Sequence, residues 1–245
     1  MAPDLGSALD QQQFVLHYLR EVDAASGEVL GVEALLRWEH PQQGLVYPLD
    51  VLNQAGASLL IARLSLWTVG AACARLADWN SDPVRRHWTL ALNVEPGQLE
   101  DPEFAPAVIA IVQNAGIDPH KLWMEVTERA ILNDWRAAAA TVAALGTLGI
   151  PFGLDNFGIG YASLAYLRQL PFSYLKTPDP RLSSSLDAHH LRLLDAEIAM
   201  AKGMGLQVIA KGIETEVQRE LFRGKGIDRF QGYLFGRPLP ADQLP

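Results

Sequence analysis

Short apolar runs recur along this chain with amphipathic or alanine-rich stretches between them, and that alternation restricts the fold more than any other feature. Strand-like runs fall at 14–22, 29–38, 88–94, 122–126, 150–154, 174–176, 207–210 and 229–231. Residues 133–148 are alanine-rich and helical in pattern, with Asn133 as the expected N-cap and Gly149 as the C′ stop. Residues 190–202 set Leu191, Leu194, Ile198 and Ala201 on one helix face. Strands alternating with helices imply βαβ units and parallel pairing. Eight such units in 245 residues match an α/β (β/α)8 TIM-like barrel, with a doubly wound open sheet as the main competitor on pattern alone. A short helix over 7–12 is a lead-in, so residues 1–12 are expected to precede a barrel domain over 13–245. The serines at 183–185 read as a loop or cap.

Net charge is −8, which disfavours binding to nucleic acid polymers or to anionic membrane. An acidic chain can still gather basic groups in one pocket, so a phosphate ligand stays open. No run of 18 apolar residues occurs, so no membrane insertion is expected. The lone cysteine, Cys73, sits in an apolar stretch and reads as a buried inert thiol. A chain without disulfides suits a reducing, cytoplasmic setting. The first residues (MAPDLGSALDQQQ) have neither the basic nor the apolar region of a signal peptide.

In a parallel barrel, functional groups collect at the C-terminal ends of the strands. The polar residues there are Glu33 and Arg37, Asn93, Glu125 and Glu128, Asp155 and Asn156, Lys176, Lys211 and Gln231. Taken one at a time, a strand-end carboxylate is more often a cap or an ion-pair partner. One on each successive strand end is a different matter. Glu33, Asn93, Glu125 and Asp155 together offer the oxygen donors that a hard cation such as Mg²⁺ or Mn²⁺ takes. The glycine-rich turn from Asp155 through Phe157, Gly158 and Gly160 to Tyr161 could bring backbone N–H groups close to an anion. His40 reads as structural within its WEHP turn, and the pair His189 and His190 as a solvent-facing helix start.

At these positions the chain resembles the EAL family of cyclic-di-GMP phosphodiesterases. Glu33-Ala34-Leu35-Leu36-Arg37 reproduces the family signature, followed by Trp38-Glu39-His40-Pro41 and Gly44. Asn93 lies in LALNVEPGQL, and Glu125-Val126-Thr127-Glu128 matches ExTE. DNFGIGYASL resembles DDFGTGYSSL, Lys176 stands at the lysine of KID, KGIET resembles EGVET, and Gln231-Gly232-Tyr233 closes the series. The resemblance implies an EAL-type barrel in which two divalent metals clamp a phosphodiester. Carried over, Glu33, Asn93, Glu125 and Asp155 would hold the first metal. Arg37, Asp155, Phe157, Gly158, Lys211 and Gln231 would face the ligand, and Lys176 and Glu214 would stand at catalytic positions. It also implies a homodimer through 161–170, with Leu164, Tyr166 and Leu167 as apolar contacts.

The chain departs from the pattern at four places. Asn156 replaces the second aspartate of DDFG, and Lys211 replaces the glutamate of EGVET. Together these swaps make the site about three charge units more positive. KID reads Lys176-Thr177-Pro178, and YQPIVD reads Tyr18-Leu19-Arg20-Glu21-Val22-Asp23, so Leu19 stands where a glutamine contact is expected. The first-metal set is intact while the second-metal and base set is broken. The reading that follows is a cyclic-di-GMP receptor with little or no hydrolysis, able to bind ligand without metal. The alternatives are an active phosphodiesterase giving the linear dinucleotide, and a module that contacts a protein effector and has lost the nucleotide.

Overall fold

Alternation within the strands divides the molecule into an inside and an outside. The computed structural model describes residues 5–47, 58–127, 133–158, 167–178 and 188–245. Nine strands form one sheet: β1 (Phe14–Asp23), β2 (Val29–His40), β3 (Gly44–Val46), β4 (Thr89–Asn93), β5 (Leu122–Thr127), β6 (Phe152–Asp155), β7 (Tyr174–Lys176), β8 (Gln207–Ala210) and β9 (Arg229–Gln231). From β2 through β4 to β9 the neighbours are parallel, and β1 closes the barrel by pairing antiparallel to both β2 and β9. This is an eight-stranded closed barrel. β3 lies outside it as the return arm of a hairpin on β2. The eight barrel strands stand where the sequence pattern puts them, with ends shifted by at most two residues. β3 was not expected: Gly44 was read as a turn, and its φ of 70° does make it one, but three residues then pair back.

Among the described residues the α-helices are α1 (Leu5–Asp10), α2 (Ser58–Trp79), α3 (Pro96–Leu99), α4 (Phe104–Ala115), α5 (Trp135–Leu148), α6 (Ala188–Gly203) and α7 (Glu216–Arg223). Outward strand residues such as Val32, Leu90, Leu92, Met124, Phe152, Leu154, Leu175, Val208 and Phe230 join helix residues in one core. A separate small cluster, Ala91, Trp123, Tyr174 and Ile209, fills the barrel interior. α2 is long and apolar enough by length and composition to cross a membrane. It carries Arg63, Arg75 and Asp78, and it packs Leu64, Val69, Ala72, Cys73, Leu76 and Trp79 against the barrel, so it is a core helix. Burial pushes the Cys73 thiol up to about 11, as befits an inert cysteine.

The N-cap of α5 is Asp134 rather than Asn133. Asp134 Oδ1 accepts from the N–H groups of Arg136 (3.0 Å) and Ala137 (3.1 Å), so the helix starts one residue later than a cap at Asn133 implies. Gly149 ends it in the left-handed conformation as expected. The lead-in helix spans Leu5–Asp10 rather than 7–12 and packs Ala8 with Phe14, Trp38 and Leu64. Glu128, residues 159–166 with Leu164 and Tyr166, and the serines at 183–185 lie outside the described residues. Leu167, expected at a dimer contact, is buried in the core. His189 is exposed near the start of α6.

Candidate functional site

Lys176 ends β7 pointing inward and is fully buried. Its ammonium lies 2.7 Å from Glu21 Oε1, 3.2 Å from Glu33 Oε2 and 2.6 Å from Glu125 Oε1. Although burial alone disfavours the charge, these carboxylates raise its pKa well above the ordinary lysine value. Glu33, from β2, also accepts from Asn93 Nδ2 (2.7 Å) and Gln231 Nε2 (2.8 Å). Burial works to raise the Glu33 pKa, but Lys176, Lys211 and these two amides outweigh it and hold the carboxyl down at about 2. Glu125 goes the other way. Burial, with repulsion from Glu33, Asp155 and Glu21, overcomes the pull of Lys176 and pushes it up to about 8.

Beneath this group, Arg229 Nη1 donates to Thr89 Oγ1 (2.9 Å) and lies 3.3 Å from Glu21 Oε2, with its guanidinium over the Trp123 ring. Tyr174 OH donates to Glu125 Oε1 at 3.1 Å. The ring reaches across the barrel because its neighbour on β6 is Gly153, where a Cβ would stand 2.2 Å from the ring. Among the described residues Glu21, Glu33, Glu125 and Asp155 thus meet Lys176, Lys211 and Arg229 in and above the barrel interior, and burial with carboxylate repulsion favours the protonated form of Glu125.

Asp155 ends β6 and is held by a different lysine. Lys211 Nζ lies 2.6 Å from Oδ1 and 2.8 Å from Oδ2. Asn156 donates its amide to Asp155 Oδ2 at 2.9 Å. Its φ of 57° is a left-handed conformation that asparagine tolerates better than most residues. Asp155 and Glu33 raise the Lys211 pKa against the effect of burial. Arg37, further along β2, donates to Leu36 O (2.8 Å) and carries its guanidinium 4.5 Å from the centre of the Tyr47 ring. It forms part of the wall of two cavities. The larger, about 400 Å³, is lined by Arg37, Tyr47, Asn93, Asp155 and Asn156 among others. The smaller, about 200 Å³, is lined by Leu19, Arg37, Lys211, Glu214 and Gln231 among others.

The structure therefore brings Glu33, Asn93, Glu125 and Lys176 into one hydrogen-bonded cluster, with the Asp155–Lys211 pair electrostatically coupled to it and Arg37 at its edge. Glu214 is exposed and lines the smaller cavity, whose wall also includes Glu33. Phe157 is placed differently from its expected ligand-facing position: its ring is in the core and its N–H donates to Lys176 O, since the turn after β6 rolls the side chain inward. Gly158 faces the Glu197 carboxylate. Glu21, Tyr174 and Arg229 escaped the sequence analysis. The signal was present: each falls on the inward side of its strand's two-residue period, where a polar residue needs a partner.

A hard divalent cation asks for oxygen donors. Glu33, Asn93, Glu125 and Asp155 supply them from four neighbouring strands, and Glu125 Oε2 is buried with no hydrogen-bond partner among the described residues. These residues fit one such ion. As the side chains stand, no three acidic, His or Cys groups among the described residues are arranged to hold it, so uptake requires a lysine to yield. Where the family pattern has a second pair of carboxylates, this chain has the Lys211 ammonium against Asp155 and the neutral Asn156 amide turned onto the same carboxylate, donors that suit a second cation less well.

A closed (β/α)8-type barrel with carboxylates, lysines and an arginine gathered at the mouth of its parallel strands defines the class. The EAL domain model matches residues 3–238, and the chain belongs to the EAL domain family. It is 36% identical over 242 residues to the bifunctional diguanylate cyclase/cyclic di-GMP phosphodiesterase MucR of Pseudomonas aeruginosa, covering 98% of this chain and 35% of that protein. It is 34% identical over 239 residues to the cyclic di-GMP phosphodiesterase PA2567 of the same organism, covering 96% of this chain and 40% of that one. The chain thus spans well under half the length of these curated relatives. A solved structure described as the PaMucR phosphodiesterase in complex with c-di-GMP superposes with a TM-score of 0.91 at 35% identity, covering 99% of this chain and 98% of that one.

Proposed function

We propose that this EAL domain binds cyclic-di-GMP as a receptor and turns it over slowly or not at all. The observation that carries the reading is the Lys211 ammonium, 2.6 and 2.8 Å from the two oxygens of Asp155. It puts a fixed positive charge where the family pattern has a glutamate. Relatives of this chain are named as cyclic di-GMP phosphodiesterases, and one solved relative is a c-di-GMP complex. Arg37 presents the forked donor geometry that matches a phosphate. Lys211 neutralises the phosphate charge, and the cavities on either side of Arg37 accept the two halves of the dinucleotide. One divalent cation, Mg²⁺ or Mn²⁺, would be held by Glu33, Asn93, Glu125 and Asp155 and would add positive charge beside the phosphate. Binding does not depend on it, since Lys211 supplies charge in its absence. Hydrolysis is impaired because neither Asn156 nor Lys211 is a carboxylate that could serve a second cation or act as a base.

The test is calorimetric titration of the domain with cyclic-di-GMP, with Mg²⁺ and then with the metal chelated. Binding under both conditions is expected. Absence of binding under both would favour a domain that contacts a protein effector instead, and binding only with metal would remove Lys211 from its assigned role.

A further inference from the structure

The β2–β3 hairpin has a job that the family signature does not cover. Its register pairs Trp38 with Val46, Glu39 with Leu45 and His40 with Gly44. The next step of that register sets Arg37 opposite Tyr47, and residues directly opposite in an antiparallel pair share a face. Accordingly, the Arg37 guanidinium carbon sits 4.5 Å from the centre of the Tyr47 ring. The turn that fixes this register is built in. His40 Nδ1 accepts from the N–H groups of Gln42 (3.1 Å) and Gln43 (3.2 Å), and Gly44 takes the left-handed φ of 70°. The strand end is tied down as well: Trp38 Nε1 donates to Gln13 Oε1 (3.0 Å), and the Glu39 N–H donates to Gln13 O (2.8 Å). Tyr47 itself is 60% exposed, so its ring contributes little to the core, yet it lines the larger cavity beside Arg37.

We propose that Tyr47 is a positioning residue for the phosphate-binding Arg37. Its ring lies against the guanidinium carbon, Leu36 O takes one Nη1 hydrogen, and the remaining donors are left for the ligand. This rests on the reading that the mouth takes a cyclic dinucleotide. An arginine stacked on a ring loses little freedom when it binds, because its orientation is already set. The same contact in a flexible loop would not hold this direction; the capped turn and the paired strand do.

The experiment is titration of the whole chain with cyclic-di-GMP for the wild type, Tyr47→Ala, Tyr47→Phe, Arg37→Ala and the Tyr47→Ala/Arg37→Ala double variant, at two salt concentrations. Tyr47→Ala is expected to weaken binding about 3- to 30-fold, the range of a partly desolvated cation–π contact, while Tyr47→Phe stays within about twofold of the wild type. In the Arg37→Ala background Tyr47→Ala adds no further loss, since its effect passes through the arginine. Tyr47→Ala also flattens the salt dependence as Arg37→Ala does, which a purely structural defect would not do. Wild-type affinity in Tyr47→Ala, a failure of Tyr47→Phe to preserve binding, or an equal loss with and without Arg37 each overturns the positioning role while the ligand reading stands. A wild-type chain that takes up no cyclic-di-GMP overturns the ligand reading and this inference with it.

Discussion

Lys211 and Asp155 form an ion pair in which the ammonium spans both carboxylate oxygens, at 2.6 and 2.8 Å, with the two side chains 17% and 6% exposed. The pair joins the ends of β6 and β8 across the mouth. Lys211→Met removes one partner and leaves a mostly buried carboxylate with only the Asn156 amide. Stability should fall by about 3 kcal/mol, as for other buried pairs broken from one side. Cyclic-di-GMP affinity in chelator should fall by about 10- to 100-fold, the equivalent of one charge-assisted contact. Urea denaturation and calorimetry measure the two effects. Unchanged affinity would show that the ammonium serves the fold alone.

Arg37 gives a second binding prediction. Arg37→Ala should cost about 1.5–3 kcal/mol of cyclic-di-GMP binding. Because phosphate contacts dominate, wild-type affinity should fall as salt rises, and the variant should show a shallower slope. Titrations over a salt series check both, and a salt-independent wild-type affinity would count against phosphate recognition.

The barrel interior predicts opposite pH limbs. Glu33 has its pKa held down at about 2, against 4.5 unfolded, so its stabilisation is present above 4.5 and is lost as pH falls towards 2. The amount is about 3 kcal/mol. Glu125 is pushed up to about 8, so its contribution is present below 4.5 and is lost as pH rises through 8. Glu33→Gln should flatten the acid limb of a stability–pH profile, and Glu125→Gln the alkaline limb. Unaltered limbs in both variants would place the pH dependence elsewhere.

Gly153 and Tyr174 are directly paired across β6 and β7, and a Cβ at Gly153 would meet the tyrosine ring at 2.2 Å. Gly153→Ala should destabilise by about 1–3 kcal/mol, as overpacking does. In a Tyr174→Leu background the same substitution should be milder, because neighbouring changes do not add. Denaturant midpoints of the four proteins decide this. Additive losses would show that the ring is not what the glycine accommodates.

Most of the barrel was legible because short strands and their helices carry local signals. β7, β8 and β9 lie on the expected residues, and Glu33, Asn93, Glu125 and Asp155 sit on consecutive parallel strands. What could not be read was partnership over long separations. That Glu21 pairs with Lys176 and Arg229, or that Lys211 lies on Asp155, depends on barrel closure rather than on any local pattern. The Phe157 ring lies in the core for a related reason. The loop motif advertises glycines and polar atoms, while the burial of its ring is set by the surrounding core. β3 was missed because three residues are too few to show a period, and the turn before it is held by a histidine rather than by a familiar turn pair.

A receptor role requires that Asn156 and Lys211 keep a nucleotide-binding mouth from hydrolysing what it binds. The direct measurement is chromatographic conversion of cyclic-di-GMP to the linear dinucleotide in Mg²⁺ or Mn²⁺, for the wild type, the two single reversions and the Asn156→Asp/Lys211→Glu double variant. The wild type should show little or no turnover. Asn156→Asp alone should add little while the ammonium remains, and Lys211→Glu should add more, since it removes a repulsion and supplies a carboxylate. The double variant should exceed the product of the singles, because residues of one site act together. Its activity should still be partial, because Pro178 and Leu19 are unchanged. Robust turnover by the unmodified domain would contradict the receptor role outright.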